Sequence, residues 1–240
     1  MLNLWYYSMM LRNPYYLIGT IFVGLAALLV LYAQIKVKTT YARYKEVPNE
    51  RGLTGAQVAR MILDANGMAD MPIYEVNGEL SDHFDPSKKT INLSRDVYRG
   101  NSIASIAVAA HECGHAIQYN TNYRPIFFRN AIVPFANMGN YLGWIAIMIG
   151  LALGATKIAW VGFFLIIGIL LFQVVTLPVE FNASARALHI LDASFLTDDE
   201  YVGAKRMLSA AALTYVAAVI STIASMLRIL LVIIGSSRND

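Results

Sequence analysis

Residues 111–115 read His-Glu-Cys-Gly-His. If the segment is helical, imidazoles four positions apart share one face. Both can then meet a single zinc ion at about 2.0–2.1 Å. Glu112 stands one residue round from His111, beside the ion without binding it. It can take a proton from a zinc-activated water and pass it to a leaving amine. Zinc lowers the pKa of that water towards about 7 and polarises the scissile carbonyl. An H-E-x-x-H arises by chance on the order of once in a hundred chains of this length. The chain has only 4 histidines, and two of them are here. The bland alternative is a helix whose two histidines only hydrogen-bond. Cys113 falls off the zinc face and reads as a small buried residue.

A catalytic zinc takes a third protein ligand and keeps one position open. Glu180, in the run LPVEFNASARAL, fits that place. Two apolar stretches separate it from the motif, and an even number of membrane crossings returns the chain to the same side. His189, His83, Asp82 and Asp85 are the alternatives. His189 reads more simply as a surface histidine, and His83, in Ser-Asp-His-Phe-Asp-Pro, as a turn residue. Arg186 could steady an oxyanion or a substrate carboxylate, although a solvated helix face is the simpler reading. Nothing points to an organic cofactor; the one cofactor expected is Zn2+.

Composition says what must position these groups. The chain of 240 residues is 57% hydrophobic and 15% charged, with a mean hydropathy of +0.48. Soluble domains are about 45–50% apolar and about 25% charged. The excess excludes a disordered chain and argues against an ordinary soluble enzyme. A single cysteine excludes a disulfide scaffold, and a net charge of +3 supplies no basic field for nucleic acid. Four stretches reach the roughly 20 apolar residues that a spanning helix needs: near 15–33, 131–153, 158–177 and 210–234. Tyr15, Tyr16, Tyr141, Trp144 and Trp160 fall near their interfaces, where amphipathic rings are favoured. The first stretch is longer than a signal-peptide core and lacks a small-x-small cleavage site, so it reads as a retained anchor. Arg228, inside the fourth, lies close enough to the helix end to snorkel. The spans put residues 34–130 and 178–209 on one side, with fifteen of the 19 Lys and Arg. The positive-inside rule places that side, and the active site with it, in the cytoplasm.

Local signals fill in the polar portion. Thr54 and Gln57 form a capping box for a helix ending near Gly67. Residues 72–94 read as strands punctuated by Asn77-Gly78 and Asp85-Pro86. Asn101 or Ser102 caps the motif helix. A further helix opens at Pro178 and runs to about Asp192, and Thr197 with Glu200 gives a second capping box. The alternation of Lys89 to Leu93 suits either an exposed edge that pairs with an extended substrate or a structural hairpin under the active helix. The expected fold is mainly α: a multi-pass membrane protein with about four transmembrane helices and a small α+β zincin-like catalytic portion. The expected division is an anchor over 1–34, the catalytic portion over 35–130, a transmembrane hairpin over 131–177, the third-ligand segment over 178–209 and a last transmembrane helix over 210–240.

The runs AVAAHECGHAIQ, SDHFDPSKKTINLS and LPVEFNASARAL, with these spans between them, resemble the YugP-like family of bacterial membrane neutral zinc metallopeptidases. The resemblance extends from about residue 10 to the last span. It implies a zinc peptidase with Glu112 as base and Glu180 as third ligand. More distantly, E-F-x-A-x-x-x-A resembles the HtpX-like and CAAX-processing membrane peptidases. In those, an Asp four residues after the Glu ligand orients a zinc histidine. Here Ser184 stands at that position, leaving Ser184 or Asn182 to supply a weaker partner.

The function expected is that of a multi-pass cell-membrane metalloendopeptidase, with its cleft at the cytoplasmic surface. Its partners would be the bilayer and membrane-associated or misfolded polypeptide substrates. Two alternatives follow from the same residues. A site-2-type intramembrane protease is suggested by the apolar run 103–110, but such enzymes use an Asp in a later span and no span here contains one. A non-enzymatic scaffold with a structural metal would need a closed site of four ligands, usually including cysteines, and would leave Glu112 without a purpose.

Overall fold

The structure, a computed structural model, describes residues 14–237. Arg12 and Arg238, which enter the orientation argument, and the side chain of Tyr15 lie outside the described residues. The described elements are α1 (Pro14–Lys45), α2 (Gly55–Ala65), β1 (Ile73–Val76), β2 (His83–Asp85), β3 (Thr90–Ser94), α3 (Arg95–Arg99), α4 (Ile103–Asn120), α5 (Arg124–Ala152), α6 (Thr156–Ser194) and α7 (Asp198–Ser237). The protein is mainly α with one small sheet, and α1, α5, α6 and α7 are long and apolar enough to cross a membrane.

The long helices outrun the apolar stretches. Pro178 does not open a new helix. It sits inside α6, so the third apolar stretch and the residues around Glu180 form one helix of 39 residues. A proline removes one i→i−4 hydrogen bond, and here the helical frame continues through that loss. Likewise α7 starts at Asp198, after Thr197, and runs without a break into the last apolar stretch.

The chain divides into two compact units. One comprises the described parts of Met1–Tyr32, Phe128–Val175 and Tyr215–Asp240. Its core includes Ile147, Ala159, Ile166, Ile229 and Ile233. Gly162 permits its close packing, since a Cβ there would lie 2.7 Å from the backbone nitrogen of Ile147. Leu25, Phe135 and Leu153 point outward from this unit, each at least 60% exposed; that burden of exposed apolar area suits lipid rather than water.

The second unit comprises Ala33–Phe127 and Thr176–Thr214. Val58, Ile62, Leu63, Ile91, Leu93, Ile106, Leu191 and Met207 form the heart of its core. The sheet order is β1-β3-β2, with β1 parallel and β2 antiparallel to β3. The register pairs Glu75 with Leu93 and Phe84 with Ile91. The segment Lys89 to Leu93 is therefore not an exposed edge. Thr90–Ser94 is the central strand, buried along its length, because it is flanked on both sides and Ile91 and Leu93 enter the core. The edge strand beside it on one side is β2.

The expected caps at Thr54 and Ser102 are present. Thr54 and Gln57 exchange both capping-box bonds at the start of α2, and Ser102 caps α4 by accepting from Ser105 N. At the start of α7 the Glu200 carboxylate accepts from Thr197 N at 2.9 Å and Thr197 Oγ1 at 3.1 Å. Its other oxygen accepts from Glu50 N at 2.7 Å, so this one side chain ties the α1–α2 connection to α7. Glu200→Ala removes all three bonds from a buried site and is expected to destabilise the protein by about 2 kcal/mol, read as a lower thermal midpoint of the detergent-solubilised chain.

Candidate metal centre

Small side chains dominate the buried face of α4: Ala104, Ala107, Ala109, Ala110 and Ala116 are buried, so neighbouring helices approach its backbone closely. The nearest approach bearing on the motif is at Gly114. A Cβ there would lie 2.6 Å from the carbonyl oxygen of Ala183. Glycine therefore lets α6 close on α4 about one turn from Glu180.

That approach brings Glu180 to the two imidazoles. Its Oε2 lies 3.4 Å from His111 Nε2 and 3.6 Å from His115 Nε2. The two rings stand 4.8 Å apart at 86°, and one ligand atom from each of the three residues lies within 4.8 Å of the other two. Glu180 is 3% exposed, and its Oε2 makes no hydrogen bond. A buried carboxylate oxygen left so costs on the order of 1–3 kcal/mol or more, and a cation among these three donors would remove the cost. A tetrahedral ion with ligands at about 2.0–2.2 Å sets neighbouring donors about 3.3–3.6 Å apart. The donor set therefore fits a zinc ion in both spacing and chemistry: two nitrogens, one carboxylate and no sulfur. Burial opposes charge on the His115 ring, but the nearby carboxylates of Glu180 and Glu112 raise its pKa above the ordinary 6.5.

Outer partners fix the rings. Gln118 is fully buried, and its Oε1 lies 3.0 Å from His115 Nδ1. Its amide nitrogen donates to Val179 O at 2.8 Å and Asn182 Oδ1 at 3.0 Å. When His115 Nδ1 donates to Gln118, Nε2 keeps its lone pair facing Glu180. The same amide holds α4 against the residue next to Glu180. On the other ring, Ser184 Oγ lies 3.1 Å from His111 Nδ1. Ser184 thus occupies the partner position considered from the sequence, while Asn182 serves Gln118 and accepts from Arg186 Nε at 2.8 Å. Sequence reasoning does not single out Gln118. Its spacing of three from His115, which puts both on one helix face, is the available signal.

Glu112 is 8% exposed, and its Oε2 accepts from the backbone N–H of Phe84 in β2 at 3.0 Å. Asp82 pins the entry to β2 by accepting from Ser94 N at 2.7 Å and Ser94 Oγ at 3.0 Å; burial raises its carboxyl above the ordinary value. Asp85 accepts from the N–H groups of Ser87 and Lys88 in the following turn. His83 is an exposed strand residue rather than a turn residue, its Nδ1 2.8 Å from Ser81 O, and His189 is exposed. Among the described residues, none of these four groups with His111 and His115 as a metal set. Cys113 is fully buried with Sγ 3.7 Å from Ala59 O, and burial pushes its thiol pKa up.

Comparison with known proteins accords with this geometry. Residues 19–234 match the model of a family described as "Putative neutral zinc metallopeptidase", and the chain belongs to that family. It is similar to "Putative membrane protease YugP" of Bacillus subtilis (strain 168), with 41% identity over 217 residues covering 90% of this chain and 96% of that protein. No solved structure matches the chain.

Loss of an outer partner typically lowers metal affinity about 10–100-fold. Gln118→Leu and Ser184→Ala are each expected to weaken zinc binding in that range, measured by competition with a chelator of known affinity. Gly114→Val, which forces α6 off α4, is expected to weaken it at least as much. His189→Ala is expected to bind as the wild type does.

Proposed function

We propose that this chain is a membrane metalloendopeptidase in which His111, His115 and Glu180 hold zinc and Glu112 is the general base. The observation that carries the reading is the buried Glu180 oxygen, unbonded and facing both imidazole nitrogens at 3.4 and 3.6 Å. When bound, the zinc ion supplies a Lewis acid for the scissile carbonyl and the attacking water.

The chain's own groups do the rest. The Phe84 N–H holds one Glu112 oxygen and leaves the other to receive a proton from the attacking water. Rotation of that carboxyl is restrained, so the proton is delivered to the leaving amine from a fixed place. Ser184 and Gln118 lie against the Nδ1 atoms of His111 and His115, which leaves both Nε2 atoms turned towards Glu180. Glu180 contributes the charge that makes the donor set selective for a divalent cation. Hydrolysis is complete once the amine leaves protonated and Glu112 is again a carboxylate.

The setting supports polypeptides held at or near the bilayer as substrates. Helix α4, which carries the motif, is not one of the four helices long and apolar enough to cross a membrane, which favours a cleft at the membrane surface over one within it. The excess of Lys and Arg on the segments that carry the site favours the cytoplasmic face. Glu112→Gln keeps the shape and the Phe84 side of the contact but removes the proton acceptor. The expected outcome is stoichiometric zinc with casein cleavage lowered about 10²–10⁴-fold; cleavage at the wild-type rate would remove Glu112 from the mechanism.

A further inference from the structure

Away from the metal centre, the second unit contains a groove between α1 and α7 with a volume of about 760 Å³. Lys36 and Arg43 from α1 and Lys205 and Arg206 from α7 line it, with hydroxyls from Thr39 and Ser209 between them. All four cations are exposed, and no Asp or Glu is among the lining residues. The groove is a built feature of the fold. Gly203 lets α7 close on Tyr44, since a Cβ there would lie 2.8 Å from the Tyr44 ring. The Tyr44 ring carries the Arg43 guanidinium 5.6 Å from its centroid, and its hydroxyl accepts from Arg206 at 3.4 Å. Two guanidiniums are therefore held against one buried ring, in a groove lined by two further cations. Guanidiniums suit phosphate oxygens in particular, and an anion in the groove offsets the mutual repulsion of its cations.

We propose that this groove binds the phosphodiester headgroup of an anionic phospholipid. The placement of the cations along the chain decides between a lipid and a free anion. Lys36 and Arg43 follow the apolar stretch near 15–33, and Lys205 and Arg206 precede the one near 210–234, so the groove is built from the two segments that lead into apolar spans. The cations stand within the first turns beyond the apolar run, where basic side chains meet anionic headgroups, and a cavity of this size accommodates one headgroup. The site is independent of the metal reading, since no residue is shared.

The test uses the full chain, purified in dodecyl maltoside, incubated with an equimolar mixture of phosphatidylglycerol and phosphatidylcholine and weighed with its bound lipids by native mass spectrometry. The wild type is expected to retain phosphatidylglycerol about tenfold over phosphatidylcholine. Lys36→Gln/Arg43→Gln/Lys205→Gln/Arg206→Gln is expected to abolish the preference, and the milder Lys36→Gln/Lys205→Gln, which spares the Tyr44 contacts, to reduce it. Arg51→Gln/Lys88→Gln/Lys89→Gln/Arg95→Gln removes the same charge from elsewhere and is expected to leave it intact. Equal retention of the two lipids by the wild type, or an undiminished preference in both groove variants, overturns the proposal. So does displacement of phosphatidylglycerol by millimolar inorganic phosphate, which would mark a site for soluble anions.

Discussion

The second unit is organised around a carboxylate that water does not reach. Glu180 is 3% exposed, with one oxygen unbonded and turned towards two imidazole nitrogens. Removing a carboxylate from water is costly unless charge and hydrogen bonds replace the lost hydration. Two imidazole nitrogens at 3.4 and 3.6 Å, outside hydrogen-bond reach, replace it poorly; a divalent cation held by all three groups would replace it well. Much of the surrounding structure serves to keep that arrangement closed. Gly114 lacks a side chain, so two backbones can touch, and Gln118 uses its amide oxygen and nitrogen to join His115 to the α6 backbone and Asn182.

The same constraint explains where the helices run. Glu180 lies on α6, a helix of 39 residues that begins in the apolar stretch and ends beyond the site. A continuous helix fixes Glu180, Ala183 and Ser184 relative to each other through the backbone ladder, so the donor, the contact with Gly114 and the partner of His111 form one rigid set. The sheet plays a smaller part: its edge strand presents the Phe84 N–H to Glu112, which fixes that carboxyl next to the cluster of His111, His115 and Glu180.

Much of this is legible in the sequence, for physical reasons that can be named. H-E-x-x-H puts His111 and His115 on one face because a helix repeats every 3.6 residues. Counting crossings between apolar stretches returns Glu180 to the side of the motif, together with His189, and the structure brings Glu180 to both imidazoles. The capping box at Thr54 is local hydrogen-bond chemistry and appears as expected, and at Thr197 the Glu200 carboxylate supplies its half of one. What the sequence hides is what depends on tertiary approach. Pro178 suggests a helix start because proline favours first turns, whereas packing carries α6 through it. The order of three short strands cannot be read from their sequence, so the central strand passes for a possible edge. Gln118 stays hidden because its partners lie 61 and 64 residues away, and only the closeness of α4 and α6 makes them neighbours.

X-ray absorption at the zinc edge of the purified, metal-loaded chain tests the central claim most directly. The account predicts nitrogen and oxygen neighbours at about 2.0–2.2 Å, with the multiple scattering of two imidazoles, and a loss of light-atom coordination in Glu180→Ala. A sulfur neighbour at about 2.3 Å, or a Glu180→Ala spectrum identical to that of the wild type, would contradict it.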